Sequence, residues 1–185
     1  MTPNFKMPKY VAFLRAINVG GHTVKMDYLR SLFEGAGFAN VETFIASGNV
    51  IFDSKSRNTT SLEQKIEKHL RTILGYEVRT FIRATSELAE VADYEPFSKA
   101  ELNATGNTLY VGFLAAEPSN EEKKKVLSLS GPTNEFAVHG REVYWLIRTS
   151  FSESAVSGAL LEKTLGVPAT FRNVNTIRRM VTRYS

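Results

Sequence analysis

Arg15-Ala16-Ile17-Asn18-Val19-Gly20-Gly21 places a guanidinium, a side-chain amide and two adjacent glycines in one short stretch. Adjacent glycines let the backbone take positive φ and turn its N–H groups outward. Such N–H groups, near a helix start, suit an anion. Arginine adds a planar, permanently charged donor fork. Arg15 follows Val11 and Phe13 on one strand face, so its charge must be paired, with a carboxylate such as Asp53 or Glu42, or point into a cleft. Ser47-Gly48-Asn49 supplies a hydroxyl and an amide on a second turn. The candidate ligand-binding residues from these two stretches are Arg15, Asn18, Gly20, Gly21, Ser47 and Asn49. Each also has a purely structural use, as a tight turn or a hairpin tip.

Other chemistries are excluded by motif. The glycines match neither G-x-x-x-x-G-K-[ST] nor G-x-G-x-x-G, and Ser47 lacks the G-x-S-x-G setting of a hydrolase nucleophile. There is no cysteine, so there is no thiolate ligand or cysteine nucleophile. His22, His69 and His139 are far apart and show no metal spacing, so no metal and no other cofactor is expected. No carboxylate pair for acid–base work stands out. Tyr110, Phe113, Tyr144 and Trp145 invite comparison with sheets that stack RNA bases, but the K/R-G-F/Y-G/A-F-V-x-F/Y run is missing. They are expected as sheet-packing residues.

The elements that must position these groups follow from periodicity. An apolar run from Tyr10 to Ile17 reads as a buried central strand. Met26, Leu29, Leu32, Phe33 and Ala36 recur at helical spacing up to Gly35 and Gly37. Residues 41–46 and 50–52 flank the Ser47-Gly48-Asn49 turn as a hairpin. Ser61 with Gln64 predicts a capping box for a helix carrying Leu62, Ile66, Leu70 and Ile73, closed by Gly75. Residues 77–83 alternate as a strand. The order β-α-β-β-α-β is ferredoxin-like, with right-handed crossovers and sheet order 4-1-3-2. In that order the end of the first strand and the hairpin tip share one edge, which brings Asn18-Val19-Gly20-Gly21 and Ser47-Gly48-Asn49 together.

A short helix near 86–92 joins the halves, followed by a polar stretch at 98–107. The second half repeats the order: a strand at 109–114, a helix after the Ser119/Glu122 capping box, a hairpin turning at His139-Gly140, a helix with Val156, Leu160, Leu161 and Leu165, and a strand at 169–172. A last helix is capped by Asn173. No sequence repeat is evident, only a repeat of element order. The expected fold class is α+β: two ferredoxin-like (βαββαβ) halves in tandem, antiparallel sheets with helices on one face, plus a C-terminal helix. The expected divisions are a disordered lead-in at 1–8, a first subdomain at 9–84, a helical linker at 85–107 and a second subdomain at 108–185.

Three stretches, Arg15-Ala16-Ile17-Asn18-Val19-Gly20-Gly21, Ser47-Gly48-Asn49-Val50 and Arg172-Asn173-Val174-Asn175-Thr176, resemble the bacterial domain-of-unknown-function family 1697, over about residues 10–182. The resemblance implies a cytoplasmic α+β protein with ferredoxin-like halves and no established activity. The chain departs from the family at Ala16, where Gly is usual, at Val174, where Trp is usual, and at Ser154-Ala155-Val156, where Ser-Lys-Leu often stands. Arg172, Asn173 and Asn175, in the third motif, complete the candidate set. They also lie in a basic end: from Lys163 onward there are five Lys or Arg and no acidic residue.

At 185 residues and 43% hydrophobic content the chain can bury roughly 70% of its extended surface without staples. No run approaches the ~18 apolar residues of a membrane span, and residues 1–9 lack a signal-peptide core. With no cysteine and a net charge of +4, a cytoplasmic binder of nucleic acid or a phosphorylated small molecule at the glycine-turn edge of the first half leads. An enzyme on a small anionic substrate, without metal or cysteine, is second. A structural or assembly protein is third.

Overall fold

The structure, a computed structural model, describes residues 7–45 and 48–185. Ser47 and most of the expected lead-in lie outside them. The chain divides into two compact units, Met1–Leu88 and Ala89–Ser185.

The first unit runs β1 (Lys9–Leu14), α1 (Met26–Gly35), β2 (Ala39–Thr43), β3 (Asn49–Asp53), α2 (Thr59–Leu74) and β4 (Thr80–Ala84), and ends within α3 (Thr85–Asp93). Its sheet is antiparallel with order β2-β3-β1-β4, the ferredoxin-like order. Tyr10, Ala12 and Leu14 of β1 pack with Leu29 and Phe33 of α1 and with Leu62, Ile66 and Leu70 of α2, so both helices lie on one face. Burying each large apolar side chain contributes about 1.5–3 kcal/mol. The expected Ser61/Gln64 capping box is not the cap of α2. Asn58 is: its Oδ1 accepts from the Ser61 N–H at 3.0 Å, and the helix starts at Thr59. Asparagine caps at least as well as serine, and the Asn58 N–H is itself held by Ser56 Oγ at 3.3 Å.

The second unit contains the rest of α3, then α4 (Lys99–Leu102), β5 (Thr108–Phe113), α5 (Asn120–Leu127), β6 (Asn134–His139), β7 (Glu142–Ile147), a 3-10 turn (Phe151–Glu153), α6 (Gly158–Leu165), β8 (Thr170–Asn173) and α7 (Val174–Tyr184). Its antiparallel order, β6-β7-β5-β8, copies that of the first unit. Val143, Trp145 and Ile147 pack on Val126 of α5 and on Leu161 and Leu165 of α6. Phe113, Tyr144 and Trp145 are fully buried, as strand aromatics are expected to be, while Tyr110 is half-buried. The Ser119/Glu122 capping box forms with both of its bonds, and Asn173 caps α7. Residues 89–107, expected as a linker, belong to this unit. The Tyr144 hydroxyl donates to the Val91 carbonyl at 3.3 Å. The Tyr94 ring stacks 4.3 Å from His139, and Arg148 reaches Glu101 at 2.8 Å. Among the described residues no helix is long and apolar enough to cross a membrane.

The shared strand order brings out a repeat in the sequence. Tyr10-Val11-Ala12-Phe13-Leu14 and Tyr110-Val111-Gly112-Phe113-Leu114 occupy the same place in their sheets. Val11 lies opposite Arg83 on β4, and Val111 lies opposite Arg172 on β8. Both arginines are buried. The one difference has a steric cause, because a Cβ at Gly112 would stand 2.5 Å from the Phe171 ring. The C-terminal helix likewise has a counterpart: α3 follows β4 as α7 follows β8.

Gly48 fixes the meeting of two loops in the first unit. Its carbonyl accepts from the Leu14 N–H at 2.8 Å. Its φ is +76°, and a Cβ there would stand 2.8 Å from Ile17 Cγ2 and 3.1 Å from Leu14 Cβ. Gly48→Ala is therefore expected to cost about 1–3 kcal/mol, read as a lower urea midpoint with an unchanged slope.

Candidate functional site

At the glycine-turn edge of the first unit, Gly48 packs against Leu14 and Ile17, the end of β1 and the start of the loop, while the positions a Cβ would take at Gly20 and Gly21 meet nothing within 4 Å. Most of its polar side chains are spent on the loops themselves. Asn18 Oδ1 accepts from the Val24 N–H at 2.6 Å and closes the loop before α1. Asn49 is fully buried, and its amide donates to the Phe44 carbonyl at 2.9 Å, holding the hairpin. Arg15 is half-buried and not free of partners, and its N–H bonds the Arg79 carbonyl at 2.8 Å. Asp53, one of the two carboxylates expected beside it, is held by Lys9 at 3.1 Å and by the Asn40 amide at 2.8 Å, and Glu42, the other, is not free of partners. Gly20 and Gly21 are exposed with φ of +68° and +85°.

The same edge carries backbone strain. Ala16 and Ile45 both have left-handed φ, at 58° and 61°. That region is costly for any residue with a Cβ and most so for a β-branched one. Val19 and Ile45 are exposed. His22 stacks 3.8 Å from Tyr76, whose hydroxyl donates to the Ile17 carbonyl at 3.1 Å and whose pKa is raised by burial.

The third motif lies in the second unit and forms a separate set. Arg172 does not face solvent. Its Nη1 donates to Thr170 Oγ1 at 2.8 Å and to the Phe171 carbonyl at 2.9 Å, and burial pushes its pKa down to about 10. It remains charged at neutral pH but is committed to the sheet. Asn173 and Asn175, by contrast, line a polar cleft of about 550 Å³.

Three segments build that cleft. Glu95 precedes α4, and Lys99, Leu102 and Asn103 come from α4 and its end. Asn107, Thr108 and Leu109 come from the start of β5. Asn173, Val174, Asn175 and Arg178 come from the first turns of α7. The register of β5 against β8, with Tyr110 opposite Asn173, sets the start of α7 beside the start of β5. Among the described residues neither Lys99 nor Arg178 is held in an ion pair.

The α4 wall is tied down by one carboxylate. Glu101 Oε2 accepts from the Ser98 N–H and hydroxyl, completing a capping box, while Oε1 meets Arg148 Nη2 at 2.8 Å. Arg148 also pairs with Glu135 on β6. The Glu101 carbonyl accepts from the Asn107 amide at 2.7 Å. A smaller groove of about 280 Å³ runs beside α2 in the first unit. Two of its three cations are paired, Arg71 with Glu77 at 3.3 Å and Arg79 with Glu67 at 3.4 Å, and Lys68 is the third. Among the described residues no group of three His, Asp or Glu could hold a metal ion.

Lys99, Asn103, Asn107 and Arg178 escaped the sequence-based set. The signal available for the wall was Ser98-x-x-Glu101, a capping box in a stretch expected to be only polar.

Compared with known proteins, residues 7–144 match the model of a family described as protein of unknown function (DUF1697). The matched range includes the first two motifs and stops short of the third. The solved structure of a conserved bacterial protein from Streptococcus pneumoniae has a TM-score of 0.74 to this chain. The two are 21% identical over 96% of this chain and 98% of that one, a likeness of fold. No curated protein matches the chain.

Bonds from Ser98 and then Arg148 hold the Glu101 carboxyl below its ordinary range. A depressed carboxylate contributes stability that is present above the unfolded pKa and lost as pH falls through the folded one. The thermal midpoint of the protein is expected to exceed that of Glu101→Gln by a constant margin above about pH 5. The margin should close as the pH is lowered further. A margin that ignores pH would show that the charge of Glu101 does not anchor the wall.

Proposed function

We propose that this chain, which belongs to the DUF1697 family, is a binding module for a phosphate-bearing anionic ligand, held in the polar cleft of its second unit. The observation that carries this reading is the convergence of Lys99 and Arg178 on one concave surface whose other polar groups are mostly asparagine amides. A point-charge donor and a planar fork complement the oxygens of a phosphate. The surrounding amides fix orientation without adding charge. The basic end of the chain supports the same sign of ligand. Turnover needs a nucleophile or a base at the ligand. Glu95 is the one carboxylate of the lining and no histidine is among it, so binding is better supported than catalysis.

A second reading keeps the ligand class and moves the site to the glycine-turn edge of the first unit. It is favoured by a contrast between the halves. The connection from β1 to α1 spans residues 15–25, whereas its counterpart from β5 to α5 spans only residues 114–119. The fold itself does not need the longer connection. That connection carries Arg15, His22 and Lys25 and no acidic residue.

Calorimetric titration with inorganic phosphate and a phosphate monoester separates the two sites. On the cleft reading, Arg178→Gln weakens binding about 10- to 100-fold, the scale of one charge-assisted hydrogen bond, and Arg15→Gln leaves it unchanged. The reverse pattern assigns the ligand to the first unit. An unmodified protein that binds neither compound contradicts both.

A further inference from the structure

We infer that the ligand of the second-unit cleft is a phosphorylated polyol, a sugar monophosphate, and not a nucleotide or an oligonucleotide; the inference rests on the cleft being the anion site proposed above.

The first ground is charge. The ionisable lining residues are Lys99, Arg178 and Glu95, two cations against one carboxylate. A surplus of one positive charge suits a single phosphomonoester. A polyphosphate or a nucleic-acid backbone calls for a longer positive track. The second ground is the lack of an aromatic stacking surface. None of the residues lining the cleft carries an aromatic ring, and its one guanidinium, that of Arg178, is the fork assigned to the phosphate, while proteins that hold bases generally give them a ring or a guanidinium plane to lie on. Several rings of the second unit are engaged with one another: Tyr94 with His139 and Tyr144, Phe151 with Tyr110 and Trp145.

The third ground is the hydrogen-bonding character of the walls. Small-molecule sites of about 300–1,000 Å³ are usually apolar with a few polar groups. Here the balance is inverted, with Leu102, Leu109 and Val174 the apolar minority. The asparagines also offer complementary ends. The Asn107 amide nitrogen is used on the Glu101 carbonyl at 2.7 Å, which leaves its oxygen as an acceptor. Asn173 Oδ1 accepts from the Asn175 N–H at 2.9 Å, which leaves its nitrogen as a donor. Asn103 is exposed at the end of α4 and brings both. A hydroxyl donates and accepts at once, so a row of hydroxyls satisfies donors and acceptors presented together. Glu95 adds a further acceptor for a hydroxyl.

The test is a set of calorimetric titrations of the full chain with inorganic phosphate, ribose 5-phosphate, adenosine 5′-monophosphate and free ribose. The expected order is ribose 5-phosphate at least about tenfold tighter than inorganic phosphate, the nucleotide no tighter than ribose 5-phosphate, and free ribose weakest. Asn103→Ala, at an exposed side chain, should weaken ribose 5-phosphate about 2- to 10-fold and leave inorganic phosphate unchanged, as expected for one neutral hydrogen bond. Ribose 5-phosphate no tighter than inorganic phosphate, or a nucleotide tenfold tighter than either, overturns the polyol assignment while the anion site stands. Loss of all binding, inorganic phosphate included, overturns the anion site and this inference with it.

Discussion

Tyr10-Val11-Ala12-Phe13-Leu14 and Tyr110-Val111-Gly112-Phe113-Leu114 lie between two partners in their sheets, and that double pairing is the constraint on which the rest of each unit depends. A strand paired on both edges has no free ladder to offer water or another chain. Every residue of the first run is buried. The fourth strand of each sheet then runs back along this central one and must deliver a helix at a set place. The opposed arginines, Arg83 and Arg172, are withdrawn from water, a placement tolerated only because bonds meet their donors. Arg83 reaches the Ile82 carbonyl at 2.9 Å and Glu87 at 3.7 Å, and Arg172 reaches Thr170 and Phe171.

The cleft follows from that geometry with one addition. Pairing of β5 with β8 puts Asn173 opposite Tyr110, so α7 begins where β5 begins. The opposite wall is a four-residue helix, too short to stand by propensity alone. It is held by the capping box of Ser98 and by Arg148, which joins Glu101 to Glu135 on the sheet. The first unit has the same sheet order, and α3 follows its β4 as α7 follows β8. It devotes its extra chain length to the strained loop at 15–25 instead. Two copies of one topology have thus been elaborated at different corners.

Legibility in the sequence followed the range of the forces involved. Signals set within four residues were readable: the Ser119/Glu122 box, the cap at Asn173 and the turn at Gly75 all stand where their chemistry places them. The ferredoxin-like order was readable because it depends on element sequence alone. The cap of α2 was not, since Asn58 and Ser61 are both good caps and only the loop before them decides. The repeat of Tyr-Val-x-Phe-Leu was present in the letters. One small residue differs, and what explains it, Phe171 lying over Gly112, is a contact between strands. Arg172 and Asn49 read as ligands because their types are those of ligands; burial, which no motif reports, commits them to the backbone. The cleft itself was out of reach, because its lining comes from segments brought together only by the register of β5 and β8 and by the Arg148 tie.

The central claim, that an anion binds between α4 and the start of α7, is tested most directly by following backbone amide resonances while inorganic phosphate is added. The account predicts saturable shifts confined to Asn103, residues 107–109 and residues 173–178, with residues 15–25 still. Shifts confined to residues 15–25, or none anywhere, would contradict it.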